Sequence, residues 1–228
     1  MEKTSWWYRA RRDLISKLLL KSGRNFNRIL DAGCGTGSNY DILSRFSSLV
    51  YGLDMSREAL QFCRGKGYTD YFMTTLGDFR ADMKFGLIML MDVIEHVDDD
   101  RAALRNMRAH LEPDGLMIVS VPAYDILWNS NDDFSHHKRR YTPSALRSAI
   151  DDAGLKVHRM FGWNRLLFLH TLFYYKLFGP GEMQNNLDAI PSLMNGILYG
   201  LLRSENYVFG DRNVFPGVSL VAVCGNPE

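Results

Sequence analysis

Apolar positions along this chain fall into short continuous runs separated by stretches with helical spacing, the alternation expected of an α/β fold. Trp6–Lys21 (WWYRARRDLISKLLLK) sets Leu14 and Leu18, with Ile15 and Leu19 beside them, on one stripe of an amphipathic helix. Ile29 and Leu30 read as a short buried strand, followed by Asp31, a turn carrying Gly33, Gly35 and Gly37, and a helical pattern over Ser38–Phe46. Leu49–Leu53 is a second strand closed by Asp54, and Ser56 caps a helix over Arg57–Gly65. Tyr71–Thr74 reads as a third strand, and Lys84–Met91 (KFGLIMLM) is apolar throughout, as expected of a central strand buried on both faces. Asp98, Asp99 and Asp100 favour the dipole at the start of a helix over Arg101–Leu111. A turn at Glu112-Pro113-Asp114-Gly115 precedes a fifth strand, Leu116–Val121. Thr142 with Pro143 opens a helix that runs to Ala153 and closes at Gly154. Leu155–Trp163 and Ser219–Cys224 are the last two strands.

A glycine-rich turn between a first strand and a helix makes a nucleotide-type pocket at the strand's carboxyl end. Its spacing departs from the G-x-G-x-x-G of a dinucleotide loop, because Ser38 occupies the third position and Gly37 comes one residue early. Asp31 would face the anion of a pyrophosphate, and suits a ligand with an ammonium or sulfonium charge far better. Asp54, about 20 residues on, stands where a carboxylate grips both ribose hydroxyls.

The 228 residues allow one sizeable domain plus an insertion, and 46% hydrophobic content supports a full core. A net charge of +1 gives no field favouring nucleic acid or an anionic membrane. Cys34, Cys63 and Cys224 lie far apart in sequence without C-x-x-C spacing, which fits a reducing compartment better than disulfides or a zinc site. With no signal-peptide core near Met1 and no apolar run of the ~18 residues a span requires, the cytoplasm is the expected location.

D-A-G-C-G-T-G followed by G-L-D-M-S resembles motif I and the second-strand acid of class I S-adenosylmethionine-dependent methyltransferases. The resemblance continues in register through Gly77-Asp78-Phe79, Asp92-Val93-Ile94-Glu95-His96, Leu111-Glu112-Pro113-Asp114-Gly115 and His137-Lys138-Arg139-Arg140-Tyr141-Thr142. The H-x-R-R-Y-T segment resembles a branch acting on small molecules. The resemblance implies a Rossmann-like, doubly wound seven-stranded sheet of order 3-2-1-4-5-7-6 with the last strand antiparallel. It implies one domain over 1–228, with the N-terminal helix (1–22) over the cofactor. S-adenosylmethionine would be the cofactor and S-adenosylhomocysteine its product. The resemblance assigns Asp31, Ala32, Gly33, Cys34, Gly35 and Gly37 to the cofactor loop, and Asp54 to the ribose. Met55 would lie against the adenine, with a core methionine the equal alternative. Asp78 between Gly77 and Phe79 would accept from the adenine amino group, unless this is a simple turn. Met91 and Asp92 would flank the transferable methyl. Tyr8 and Arg12 would reach the methionine carboxylate, against a solvated basic face as the alternative.

On the acceptor side, His137, His96 and Asp92 are the candidate catalytic residues, with a structural histidine the competing account of His96. The long loop after the fifth strand offers Tyr124, Trp128, Arg139 and Tyr141 as candidate substrate contacts, although a helix start alone accounts for Tyr141–Thr142. His136, His137, Asp132 and Asp133 have metal-ligating chemistry, yet adjacent histidines in extended chain point opposite ways, so no metal is expected there. Residues 164–213 exceed the hairpin expected before the last strand and form an insertion. Leu166–Phe178 and Leu193–Leu202 within it are apolar and helix-compatible, parted by Gly179-Pro180-Gly181. A cap over a lipophilic substrate, a face for a homodimer and a peripheral membrane contact all remain open for it. The missing N-P-P-Y tetrapeptide and the near-neutral charge argue against a nucleic-acid substrate. The expectation is methyl transfer by in-line displacement to oxygen, nitrogen or carbon of a small or lipid-like acceptor. A non-catalytic cofactor- or partner-binding protein and an NAD-dependent oxidoreductase are the alternatives.

Overall fold

The computed structural model describes residues 4–178, 191–210, 212 and 215–227. Its centre is a seven-stranded sheet formed by β1 (Ile29–Ala32), β2 (Val50–Asp54), β3 (Asp70–Met73), β4 (Phe85–Met91), β5 (Leu111–Pro122), β6 (Lys156–Trp163) and β7 (Ser219–Gly225). The order is β3-β2-β1-β4-β5-β7-β6, as the family resemblance implied. β1 to β5 run parallel, and β7 is antiparallel to both β5 and β6. All seven residues of β4 are buried, and their side chains alternate between the two faces. Ile88 and Leu90 join α4 (Asp100–Ala109) and α6 (Pro143–Asp152) in one core, through Leu104, Met107, Leu146 and Ile150. Leu87 and Met89 join the opposite core beneath α1 (Trp6–Ser22), α2 (Tyr40–Leu43) and α3 (Arg57–Cys63).

Three elements depart from the sequence expectation. Helix α2 covers only part of Ser38–Phe46, because Gly37 holds a φ of 76° and the Asn39 side chain donates to Asp31. Strand β5 begins at Leu111 rather than Leu116, its register on β4 slipping between Phe85 and Leu87 to absorb the expected turn. A five-residue helix, α5 (Ser130–Phe134), breaks the loop after β5. Its signal was present in the sequence as an Asn129/Asp132 capping box.

The insertion supplies α7 (Phe168–Phe178) and α8 (Ser192–Val208), while Gly179-Pro180-Gly181 lies outside the described residues. Helix α8 is fastened to α1. Tyr199 donates to Asp13 at 2.7 Å, Asn206 to the Ala10 carbonyl at 2.9 Å, and the Trp6 amide to Asn195 at 2.7 Å. Arg9 also stacks over the Tyr199 ring at 3.7 Å. Buried Glu205 accepts the backbone amides of Arg165 and Leu166, tying α8 to the end of β6. Part of the apolar surface foreseen for a cap, dimer or membrane face therefore packs within the chain. Leu169, Phe173, Leu193 and Ile197 stay exposed.

Candidate active site

Three carboxylates stand at or beside the carboxyl ends of adjacent parallel strands, where open α/β sheets place their ligands. Asp31 is the innermost and is only 1% exposed. Its oxygens accept from the Tyr68 hydroxyl at 2.7 Å and the Asn39 amide at 3.1 Å. Burial raises its carboxyl above the usual range, against the pull of those two bonds. Suited by its charge to a cationic ligand, Asp31 is in the structure buried and bonded to Tyr68 and Asn39.

The loop beyond it depends on left-handed glycines. Gly33 has φ 73°, and a Cβ there would meet Val93 Cγ2 at 2.4 Å, whereas Gly35 has φ 52° and faces open space. Asp54 reaches across and locks this loop, accepting the Gly35 amide on one oxygen and the Ser56 amide on the other, both at 2.8 Å. Met55 is 74% exposed beside it, which removes the core-methionine alternative. The structure also brings together two thiols that are distant in sequence, Cys34 and Cys63, whose Sγ atoms lie 3.9 Å apart under the loop.

At the end of β4, buried Met91 precedes Asp92, which adopts a φ of 57°. Its carboxylate accepts from Ser120 Oγ at 3.0 Å and pairs with Arg11 Nη1 at 2.8 Å. Arg11 is stacked by Trp7 and Tyr8, at 4.6 and 5.1 Å from the ring centroids. The arginine that α1 buries against the sheet is Arg11, the neighbour of the Arg12 expected at the methionine carboxylate. The Arg12 guanidinium is drawn below its ordinary value by burial and by Arg11.

Beyond Asp92, a 3₁₀ turn over Ile94–His96 directs Glu95 inward. Glu95 is fully buried, and neither carboxylate oxygen has a hydrogen-bond partner. Burial, then the charge of Asp92, pushes its carboxyl well above the ordinary value. The His96 and His137 rings meet edge-on at 4.8 Å. Burial, then His137, lowers the His96 imidazole. His137 Nδ1 lies 2.7 Å from Asp132 Oδ1, and Asp132 is clamped by Arg140 at 2.9 and 2.8 Å and by the Asn129 amide. Burial alone would raise the Asp132 carboxyl, but the bonds from His137 and Arg140 outweigh it and hold it below the usual range.

Several residues expected as ligand contacts also have partners within the chain. Tyr141 is 2% exposed and donates to Asp100 at 2.6 Å, so its hydroxyl ties the loop to α4. Arg139 donates to the carbonyls of Val97 and Asp98. Phe79 is fully buried against Phe72, Phe85 and His110, inside the core. Asp78 accepts from Thr75 Oγ1 at 2.7 Å, as in a turn, with Gly77 exposed beside it. Trp128 donates to Asp133 at 3.0 Å. Half-buried Tyr124 remains at the mouth, in edge contact with Phe168 of α7 at 5.6 Å.

The family model described as "Methyltransferase domain" matches residues 5–159, which carry the glycine loop, all three strand-end acids and the histidine loop. The chain belongs to this methyltransferase family. Among curated proteins, the methyltransferase domain is 34% identical over 120 residues to the ubiquinone biosynthesis O-methyltransferase of Bradyrhizobium diazoefficiens, covering 48% of this chain and 47% of that protein. It is 33% identical over 105 residues to the protein of that name from Actinobacillus pleuropneumoniae, covering 41% and 45%. The chain thus spans about half the length of these relatives. Its fold matches an S-adenosylmethionine-dependent methyltransferase from Clostridium acetobutylicum, with a TM-score of 0.65 at 14% identity over 95% of this chain and 91% of that one. It also matches the N-methyltransferase NodS of Bradyrhizobium japonicum in complex with S-adenosylhomocysteine, with a TM-score of 0.60 at 15% identity over 96% and 87%. Both are similarities of fold.

Proposed function

We propose that this methyltransferase domain carries a methyl group from S-adenosylmethionine to a hydroxyl of a small, partly apolar acceptor. The observation that carries the proposal is the Asp54–Gly35 contact. A strand-end carboxylate is held by two backbone amides, yet each oxygen keeps a lone pair for a ribose hydroxyl beside a loop face that is open at Gly35. Gly33, Cys34 and Gly35 would hold the cofactor's amino-acid and ribose portions, and exposed Met55 its adenine.

When bound, the cofactor supplies an electrophilic methyl on a sulfonium with a good leaving group. The protein's task is alignment and proton management. Asp92 would take the acceptor's proton, with Arg11 and Ser120 orienting its carboxylate. His96 and His137 flank the acceptor's polar end. Tyr124, Phe168 and exposed Ile126 and Phe134 offer apolar surface to the rest of the acceptor. The O-methyltransferase names of the curated relatives favour oxygen as the accepting atom. Among the described residues no helix is long and apolar enough to cross a membrane.

Calorimetric titration with S-adenosylmethionine, S-adenosylhomocysteine and NAD, on wild type and Asp54→Ala, tests the reading. Micromolar binding of the first two is expected, with a loss on the order of 100-fold in the variant, as two charge-assisted hydrogen bonds disappear. Binding of NAD alone, or of none of the three, overturns it. Cofactor binding without product formation on any hydroxylated acceptor would leave the non-catalytic alternative.

A further inference from the structure

Glu95 poses a problem that the cofactor site does not resolve. A buried carboxyl with no hydrogen-bond partner either keeps its proton or coordinates a cation. Glu95 is fully buried with both oxygens unpartnered, and the nearby cations Arg11 and Arg140 are committed to Asp92 and Asp132, each at 2.8 Å. The structure gives it two other neighbours. One ligand atom each from Glu95, His96 and His137 lies within 4.8 Å of the others. The ligands of one cation sit roughly 3–3.5 Å apart at bond lengths near 2.1 Å, so the three groups stand within a small side-chain adjustment of a coordination set.

The surroundings also resemble those of a built site. Asp132 Oδ1 holds His137 Nδ1, leaving Nε2 open to a cation, and Arg140 fixes Asp132 in turn. A carboxylate behind a histidine sets tautomer and ring orientation in this way at metal centres. The backbone fixes the triad too, since Lys138 N–H donates to the Glu95 carbonyl and His137 N–H to the Asp132 carbonyl. The four residues considered from sequence do not assemble, because Asp132 serves His137 and Arg140 while Asp133 serves Trp128.

We propose that Glu95, His96 and His137 bind a first-row divalent cation beside the methyl-transfer site. Two imidazoles and one carboxylate suit zinc, manganese or ferrous iron, and disfavour magnesium and calcium, which prefer all-oxygen sets. Three protein ligands leave coordination positions open. Resting on the hydroxyl-acceptor reading above, the cation's role is to bind the acceptor oxygen and acidify it, so that its proton passes to Asp92.

The test uses chelator-washed full chain titrated calorimetrically with Zn²⁺, Mn²⁺ and Mg²⁺ separately, on wild type, Glu95→Gln and His137→Ala. Glu95→Gln is nearly isosteric and leaves no carboxylate to ligate, so it folds even if the second variant does not. S-adenosylhomocysteine binding to each sample reports folding and the cofactor reading independently of the metal. One Zn²⁺ or Mn²⁺ per chain, weakened on the order of 100-fold in either variant, supports the site. Absence of Zn²⁺ and Mn²⁺ binding by wild type, or an affinity unchanged in Glu95→Gln, overturns it. Metal binding without S-adenosylhomocysteine binding would support the metal site while overturning the cofactor reading.

Discussion

Replacing Tyr141 by phenylalanine isolates one buried hydrogen bond and separates a structural role from a substrate contact. The hydroxyl lies 2.6 Å from Asp100 Oδ2, and the residue is 2% exposed. A bond to a charged acceptor contributes about 1.5–3 kcal/mol. Asp100 keeps Arg139 at 3.5 Å and Arg101 at 3.9 Å, so its charge is not stranded and the loss falls in the lower half, about 2 kcal/mol. Unfolding entropy of about 2.1 cal/mol/K per residue over 228 residues gives roughly 0.5 kcal/mol/K, so Tm falls by about 4 °C. Calorimetric melting of both proteins measures it, with S-adenosylhomocysteine affinity and acceptor KM as companions. A Tm change below about 1 °C, or a tenfold rise in KM at unchanged stability, would refute the structural assignment.

Other substitutions probe the loop, the histidine clamp and the insertion. Gly33→Ala forces a Cβ to 2.4 Å from Val93 and is expected to cost stability first, whereas Gly35→Ala enters open space at φ 52°. The second should cost only about 1 kcal/mol in a denaturant melt while lowering S-adenosylhomocysteine affinity more, and equal effects on both measurements would contradict the loop geometry. Asp132→Asn leaves Arg140 buried without its partner and is expected to cost about 3 kcal/mol at pH 7. Because the Asp132 carboxyl is held below its unfolded value, its contribution is present above that value and fades as pH falls through the folded one. Wild type and variant should therefore converge in stability below about pH 4, and a gap that persists there would show that the charge is not responsible. Glu205→Gln places an amide N–H₂ against the Arg165 and Leu166 amides, so a loss of about 2 kcal/mol is expected, and an unchanged Tm would mean that α8 is held mainly by its contacts with α1.

Local chemistry was readable where local chemistry decides. The apolar run of β4, the glycine turn after β1 and the acids at the carboxyl ends of β1, β2 and β4 are features of contiguous residues, and all of them fell into place. The strand order required the resemblance to a known family, because nothing local distinguishes one sequence of parallel neighbours from another. A capping box at Asn129 was equally local and was passed over amid a polar loop.

The remainder depended on how elements turn toward one another. Successive helix positions point about 100° apart, so it is the rotation of α1 against the sheet that brings Arg11, rather than Arg9 or Arg12, to Asp92. The same rotation aligns Asp13 and Ala10 with Tyr199 and Asn206, residues nearly two hundred positions away. Tyr141 and Phe79 carry aromatic rings that suit either a ligand or a core, and only packing sends them inward. Glu95 and His96 became neighbours of His137 because Lys138 and Arg139 bind the backbone of the turn after β4. The sequence by itself determined the strand-and-loop frame and the acidic lining of its open end, since those follow from burial and turn geometry within a few residues. Tertiary packing alone decided which side chains share that opening, since contacts between distant segments depend on the angles at which whole elements meet.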